Sequence, residues 1–182
     1  EGVLAGDLAI FGGGDPNLSG RFHDGDSYAI FREWAAALKA QGIARVAGNL
    51  YLVNGLFNPP NIHPDWPHDQ LTSWYEAPVE ALSFNDNCIL VRVFPASAAG
   101  LPARVETVPK LDYFEIRNSA TTTGARGRNR LLVGRLGDSD SIIVSGEIGL
   151  RTGPGEAWVA VHDPIGYFGA ALKAALAEEG VA

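Results

Sequence analysis

The period of the apolar residues changes twice along these 182 residues, and this constrains the fold more than any single motif does. Leu8, Ala9, Ile10 and Phe11 make a strand-like run within 5–11. It stops at Gly12-Gly13-Gly14 and the turn cluster Asp15-Pro16-Asn17. From Asp26 the spacing becomes helical: Tyr28, Phe31, Trp34, Ala35 and Leu38 recur at three or four residues, and Gly42 is placed to end the helix. Asp26 or Ser27 supplies the short side-chain oxygen that a first turn needs. Residues 44–53 then alternate again, with Val46, Leu50 and Leu52 apolar. Strand, helix and strand in that order predict a crossover unit on a sheet.

A different texture follows. Residues 54–74 carry four prolines and two tryptophans without a period, and read as an ordered surface loop, because Leu56, Phe57, Trp66 and Trp74 need packing partners. From Asn87 onward the pattern is all β, with strands expected over 88–94, 103–108, 112–118, 130–136, 141–148 and 156–162. Gly100, Pro102, Pro109, Thr121-Thr122-Thr123-Gly124 and Gly137-Asp138 punctuate them. Asp163-Pro164, the apolar series Tyr167, Phe168, Ala171, Leu172, Ala175 and Leu176, and Gly180 mark a last helix with both ends signalled. The expected fold class is α/β (α+β): an α/β domain from 1–87 plus 145–182, with a small mostly-β domain inserted over 88–144. A chain of this length buries roughly 70% of its unfolded surface, enough for one sizeable core or two small ones.

Composition excludes several classes. Net charge is −7 with a pI near 5, which disfavours nucleic acid and anionic membranes as general partners. The local exception is Arg126-Gly127-Arg128-Asn129-Arg130 with Arg117 and Arg135 on either side, read as a solvated loop between strands in preference to an RNA-contacting face. No apolar run is long enough for a transmembrane segment. Cys88 is the sole cysteine, set in an apolar run, and is expected to be an inert buried thiol. With no Met and no secretory leader, the chain is expected to be a processed or excised piece.

The run Tyr75-Glu76-Ala77-Pro78-Val79-Glu80-Ala81-Leu82-Ser83-Phe84-Asn85-Asp86-Asn87 resembles the Tyr-x-Ala-Pro-x-x-Ala-Leu-x-x-Asn-x-Asn stretch of the class C low-molecular-mass penicillin-binding proteins. These are serine D-alanyl-D-alanine carboxypeptidase/endopeptidases. Gly6-Asp7-Leu8-Ala9-Ile10-Phe11-Gly12-Gly13-Gly14-Asp15-Pro16 is similar to a second segment of that family, and Gly42–Leu50, Trp66-Pro67 and the Asp163-Pro164 helix ending Gly180-Val181 follow in the family's order. The resemblance covers nearly the whole chain, with little to match over 96–135. It implies family-motif residues at Gly13, Gly14, Asp15, Pro16, Trp66, Tyr75, Pro78, Leu82, Asn85, Asn87, Asp163 and Pro164, all with structural roles. It also implies that the chain is the accessory region of a periplasmic or otherwise extracytoplasmic bacterial enzyme of peptidoglycan metabolism. Its partners would be the catalytic transpeptidase-like domain of the parent chain and peptidoglycan.

The chemistry of that family is absent from the sequence. A penicillin-binding serine enzyme needs a serine with a lysine three residues on, a Ser-x-Asn, and a Lys-Thr-Gly strand. No serine here has a lysine at that spacing. Ser83-Phe84-Asn85 and Arg151-Thr152-Gly153 spell approximations of the other two, with no nucleophile to serve. The chain alone is therefore expected to be inert, with no catalytic, cofactor or metal residues. A stand-alone cell-wall or protein binding module of the same fold is the alternative. Gly12-Gly13-Gly14 lacks the lysine of a phosphate loop and precedes Asp15, so it reads as a turn. His63, Asp65, His68 and Asp69 crowd one loop, and Asp112, Glu115, Glu147 and Glu156 are scattered carboxylates. The first set reads as polar decoration of a loop rather than as a metal site, and nothing in the sequence brings two of the second set together as a glycosidase pair. Asn85 and Asn87, read at strand spacing after a short helical 79–82 segment, are expected to satisfy backbone groups at a helix-to-strand corner.

Overall fold

The computed structural model describes residues 2–182, which form two compact units. The first takes residues 2–64, 78–87 and 163–182; the second takes 65–77 and 88–162.

In the first unit, β1 (Val3–Leu4) and β2 (Leu8–Phe11) run parallel to β3 (Arg45–Val46) and β4 (Leu50–Val53) at one constant register offset. The two pairs make a single ribbon interrupted at its middle, where the Asp7 carboxylate accepts from the Asn49 N–H at 2.7 Å. Gly48 has no room for a side chain there: a Cβ would lie 2.6 Å from the Gly6 carbonyl oxygen. The parallel crossover is α1 (Ala29–Ala40), and α2 (Pro164–Glu178) closes the unit. Leu8, Ile10, Leu50 and Leu52 are half-buried, while Ala9, Phe11, Tyr51 and Val53 are exposed, the alternation expected of a ribbon covered on one face. The core is aromatic. Phe84 stacks on Phe31 at 5.0 Å and on Tyr28 at 5.8 Å, and meets the edge of Tyr167 at 5.1 Å, while Phe31 meets Phe168 at 5.1 Å. Each such pair contributes about 0.5–1.5 kcal/mol beyond its buried area.

The helix ends follow from their chemistry. Asp163 accepts from the Gly166 N–H at 2.9 Å ahead of Pro164, whose missing N–H costs nothing at that position. Gly180 has φ of +78°, which lets the Val181 N–H return to the Leu176 carbonyl at 2.8 Å. At α1 the two expected capping residues divide. Asp26 accepts from the Tyr28 N–H at 3.0 Å, Ser27 turns away to Asn85, and the helix starts at Ala29.

In the second unit, β5 (Cys88–Phe94) lies between β6 (Arg104–Val108) and β11 (Gly155–Ala160), antiparallel to both. A second sheet is organised around β10 (Ile142–Gly149), with β9 (Arg130–Arg135) antiparallel to it. β7 (Ile116–Asn118) and β8 (Thr121–Thr123) run parallel to β10, one after the other: 116–118 lies beside 142–144 and 121–123 beside 147–149. Ile89, Val91, Val93, Ile142, Val144, Ile148 and Val159 fill its core, and Cys88 is buried.

Five expectations differ from this. The return to the α/β unit lies at Asp163 rather than near 145, because β10 and β11 pair inside the second unit. Residues 65–77 belong to the second unit, where the Ala160 N–H donates to the Thr72 carbonyl at 3.0 Å and Ser73 bridges Val159. Thr121–Thr123, read as punctuation, is a strand, and the strand expected over 112–118 is confined to Ile116–Asn118. Residues 79–82 are not helical. Among the described residues no helix is long and apolar enough to cross a membrane.

Candidate functional site

The two segments that carried the resemblance meet in the first unit. After β2, the Gly12 N–H extends the ribbon to the Val53 carbonyl at 2.9 Å, and the Gly14 N–H donates to the Ala81 carbonyl at 2.9 Å. A Cβ on Gly12 would sit 2.7 Å from the Ala81 carbonyl carbon, so glycine is required by that approach. Gly14, at φ +73°, turns the chain, and Asp15 stabilises the turn by accepting from the Asn17 N–H at 2.9 Å. Gly13, Asp15 and Pro16 are exposed. Asn54 clamps the facing segment. Its Oδ1 accepts from the Leu82 N–H at 3.0 Å and its Nδ2 donates to Glu80, whose other oxygen accepts from Asn61 Nδ2 at 2.6 Å. Leu82 is buried. The sequence reading missed Asn54, Asn61 and Glu80, since no local pattern marks a contact across 19 to 28 positions.

The segment then makes an unusual corner. Asn85, Asp86 and Asn87 all adopt left-handed backbone, with φ of 51°, 59° and 52°. The expected strand spacing is therefore replaced by a left-handed turn, and asparagine and aspartate are the non-glycine residues that tolerate it best. Each side chain is committed. Asn87 Oδ1 accepts from the Phe84 N–H at 3.2 Å, and its Nδ2 donates to the carbonyl of buried Pro78 at 2.8 Å. Asn85 Oδ1 accepts from Ser27 Oγ at 3.1 Å, while its N–H donates to the Leu18 carbonyl at 2.7 Å. Asp86 accepts from Ser19 Oγ at 3.0 Å and pairs with Arg21. The Asn87 amide meets two backbone groups, whereas the Asn85 amide oxygen meets the Ser27 hydroxyl, and the corner they share is a left-handed turn rather than a helix-to-strand junction at strand spacing. Ser19, Ser27, Arg21 and Asp86 join them without a signal in the sequence beyond the three consecutive Asx residues.

The look-alikes of catalytic motifs are occupied in the same way. Within Ser83-Phe84-Asn85, Asn85 is held as above and Phe84 is core. Thr152 of Arg151-Thr152-Gly153 lies in the turn between β10 and β11, and its hydroxyl contacts Asn129 Oδ1 at 2.6 Å and the Gly149 carbonyl at 2.8 Å. Lys39 bonds Glu179 at 3.1 Å. Ser19, Ser27, Ser139 and Ser141 each donate to a carboxylate, amide or carbonyl oxygen. None of these four hydroxyls faces an amine base in that bond.

In the second unit, Tyr75 Oη donates to Gln70 at 3.1 Å and its ring meets the edge of Trp74 at 5.7 Å, with both rings exposed. Trp66 is half-buried. Within the arginine cluster, Arg126, Arg128 and Arg130 are exposed, whereas Arg117 and Arg135 are held by neighbours. Arg135 is buried and donates to the carbonyls of Ala160 at 3.2 Å, Leu71 at 3.0 Å and Gly137. Its burial lowers the guanidinium below its ordinary value, against the pull of Asp140 and Asp138. Arg117 is held by Glu115, whose carboxyl is lowered by that hydrogen bond and by one from Ser141. Glu156 is paired with Arg92. Among the described residues no three His, Cys, Asp or Glu side chains come together as metal ligands.

A two-unit α/β fold in which the two signature segments bond to each other through Gly14 and Ala81 is the class to which known proteins compare. The profile of the D-Ala-D-Ala carboxypeptidase 3 (S13) family matches residues 1–182, and the chain belongs to that family. It is 31% identical over 182 residues to a D-alanyl-D-alanine carboxypeptidase of Actinomadura sp. (strain R39), covering 96% of this chain and 32% of that protein. The chain thus spans about a third of the length of the curated relative it matches. Penicillin binding protein 4 from Haemophilus influenzae has a similar fold, with a TM-score of 0.75 at 20% identity over 98% of this chain and 38% of that one. A second structure of that protein, complexed with a β-lactam, superposes over 100% of this chain and 36% of that one, with a TM-score of 0.64 at 18% identity.

Proposed function

We propose that the chain is the accessory portion of a bacterial, envelope-located D-alanyl-D-alanine carboxypeptidase/endopeptidase of peptidoglycan metabolism, and that it is itself non-catalytic. Its role is to support the catalytic transpeptidase-like domain of the longer protein and to dock it on peptidoglycan. One observation carries this reading: the side chains of Asn85, Asp86 and Asn87 are spent on holding a left-handed corner, with none of the three left to act on a substrate. The relative's length supplies the rest, since two thirds of it lies outside the match. Catalysis by acyl transfer needs a hydroxyl beside a base and an oxyanion site. The family's serine–lysine spacing is missing from these residues. A fluorescent penicillin tests the reading. The isolated 182-residue chain stays unlabelled while the longer protein is acylated; covalent labelling of the isolated chain overturns it.

A further inference from the structure

In the second unit, two strands that begin as neighbours part around a cavity of about 600 Å³. β6 and β7 meet where the Ala103 N–H donates to the Ala120 carbonyl at 2.8 Å and Asn118 Nδ2 donates to the Ala103 carbonyl at 2.7 Å. Pro102 and Thr121 bridge there in antiparallel sense. Beyond that point β6 pairs only with β5, and β7 only with β10. Val105 and Thr107 form one lip of the cavity, Phe114 and Ile116 the other, and the loop from Lys110 to Asp112 closes the far end. The Ala103 backbone groups point away from β5, so strand alternation sends those of Val105 and Thr107 the same way. On the facing lip, the Ile142 N–H donates to the Glu115 carbonyl and the Ser119 N–H to the Val144 carbonyl, both at 2.8 Å. Alternation then turns the backbone of Ile116 away from β10 and towards the gap. Two strand edges thus face one cavity, and among the described residues no backbone bond of Val105, Thr107 or Ile116 crosses it.

The rim carries both signs of charge. At the loop end, Asp112 is exposed, and its carboxylate has no ion pair or hydrogen bond among the described residues. At the other end Arg104 pairs with Glu106 and lies over the Phe94 ring at 4.3 Å. That pair is exposed, and a guanidinium has five donors, so a second carboxylate can join it. We propose that this cleft binds a short extended peptide with a free amine and a free carboxylate, of the kind found in peptidoglycan stem peptides ending in D-Ala-D-Ala. The choice of a wall peptide rests on the proposed role in peptidoglycan metabolism; the cleft itself sets the extended form, the direction and the charges. The peptide amine meets Asp112 and its carboxylate meets Arg104, so the ligand runs antiparallel to β6 and parallel to β7. It adds to both edges at once, as peptides add to a single edge elsewhere, with main-chain bonds giving affinity. The cavity lies within the range of about 300–1,000 Å³ usual for ligand sites.

Amide hydrogen exchange on the 182-residue chain, with and without saturating Lys-D-Ala-D-Ala, tests this. The Val105, Thr107 and Ile116 amides are expected to slow about 10-fold or more in its presence. Unchanged exchange at all three overturns the cleft as a peptide site. Asp112→Asn, an exposed change, is expected to weaken binding of this peptide about 10-fold, the scale of one hydrogen bond to a charged group. The same variant should leave binding of the diacetylated peptide, which has no free amine, as it is in the unmodified chain. Equal losses for the two peptides overturn the placement of the amine. Val105→Pro removes an outward donor at an edge strand and should abolish the slowing at Thr107 and Ile116. Should that variant fail to fold, Asp112→Asn still decides. Slowing by the all-L tripeptide Lys-Ala-Ala without slowing by the D-Ala-D-Ala peptide overturns the wall peptide as occupant. Penicillin labelling of the chain does not involve this cleft, so the functional reading and the peptide site can each fail alone.

Discussion

Replacing Asn87 by alanine removes one small side chain and should cost the first unit a large share of its stability. The side chain is buried and makes two hydrogen bonds, from the Phe84 N–H and to the Pro78 carbonyl. Alanine leaves both backbone groups without partners, at about 1–3 kcal/mol each. It must also hold φ near 52°, where a Cβ without a local hydrogen bond adds roughly 1–2 kcal/mol. The sum is about 3–8 kcal/mol against a typical domain stability of about 5–15 kcal/mol. Asn87→Gly separates the contributions. Glycine loses the same two hydrogen bonds but is at ease with positive φ, so it should recover about 1 kcal/mol relative to alanine. Urea unfolding followed by far-ultraviolet circular dichroism, together with the fluorescence of Trp34 in the first unit, gives the two midpoints and slopes. A loss below about 1 kcal/mol in the alanine variant would show that the corner is held by packing of Phe84 rather than by its asparagines. Equal losses in the two variants would remove the left-handed backbone from the explanation.

Arg135→Met in the second unit should lower stability by about 3 kcal/mol or more, because three carbonyls lose their donor at once. Arg135→Lys should recover a minor part of it, since an ammonium lacks the planar fork that reaches three acceptors, and thermal melts of the three proteins check the order. Burial raises the Tyr28 phenol to about 12 from its ordinary value near 10. The folded state therefore holds that proton more tightly. The stabilisation is complete below pH 10 and is lost as pH rises towards 12, on the order of 1–3 kcal/mol. Stability measured from pH 9 to 12 should fall more steeply in the unmodified protein than in Tyr28→Phe, and parallel curves would refute the assignment.

How much could be read beforehand depended on the range of the interaction. The helix from Pro164 to Glu178, with Asp163, Pro164 and Gly180, was readable because capping is settled within a few residues of chain. The crossover from β2 through α1 to β4 was readable from its change of period. The boundary at Asp163 was not, because the apolar pattern of β10 and β11 is the same whichever sheet they join, and only pairing with β9 and β5 decides it. Thr121–Thr123 was passed over for the opposite reason: three short polar residues carry no period, yet the edge of β10 recruits them. Asn85 and Asn87 mark the limit most sharply. The role of Asn87 as a backbone partner follows from an amide that both donates and accepts, but spacing two apart suggests a strand, and nothing local announces that Asp86 between the two asparagines is left-handed as well. The difference matters for function. Side chains on a strand share a face and can converge on a ligand, whereas in this turn Asn85 reaches Ser27, Asp86 reaches Ser19 and Arg21, and Asn87 reaches back to Pro78 and Phe84. Three polar residues that diverge to tie different stretches of chain together are suited to fixing a scaffold, and the same divergence leaves them without a common point at which to hold a substrate.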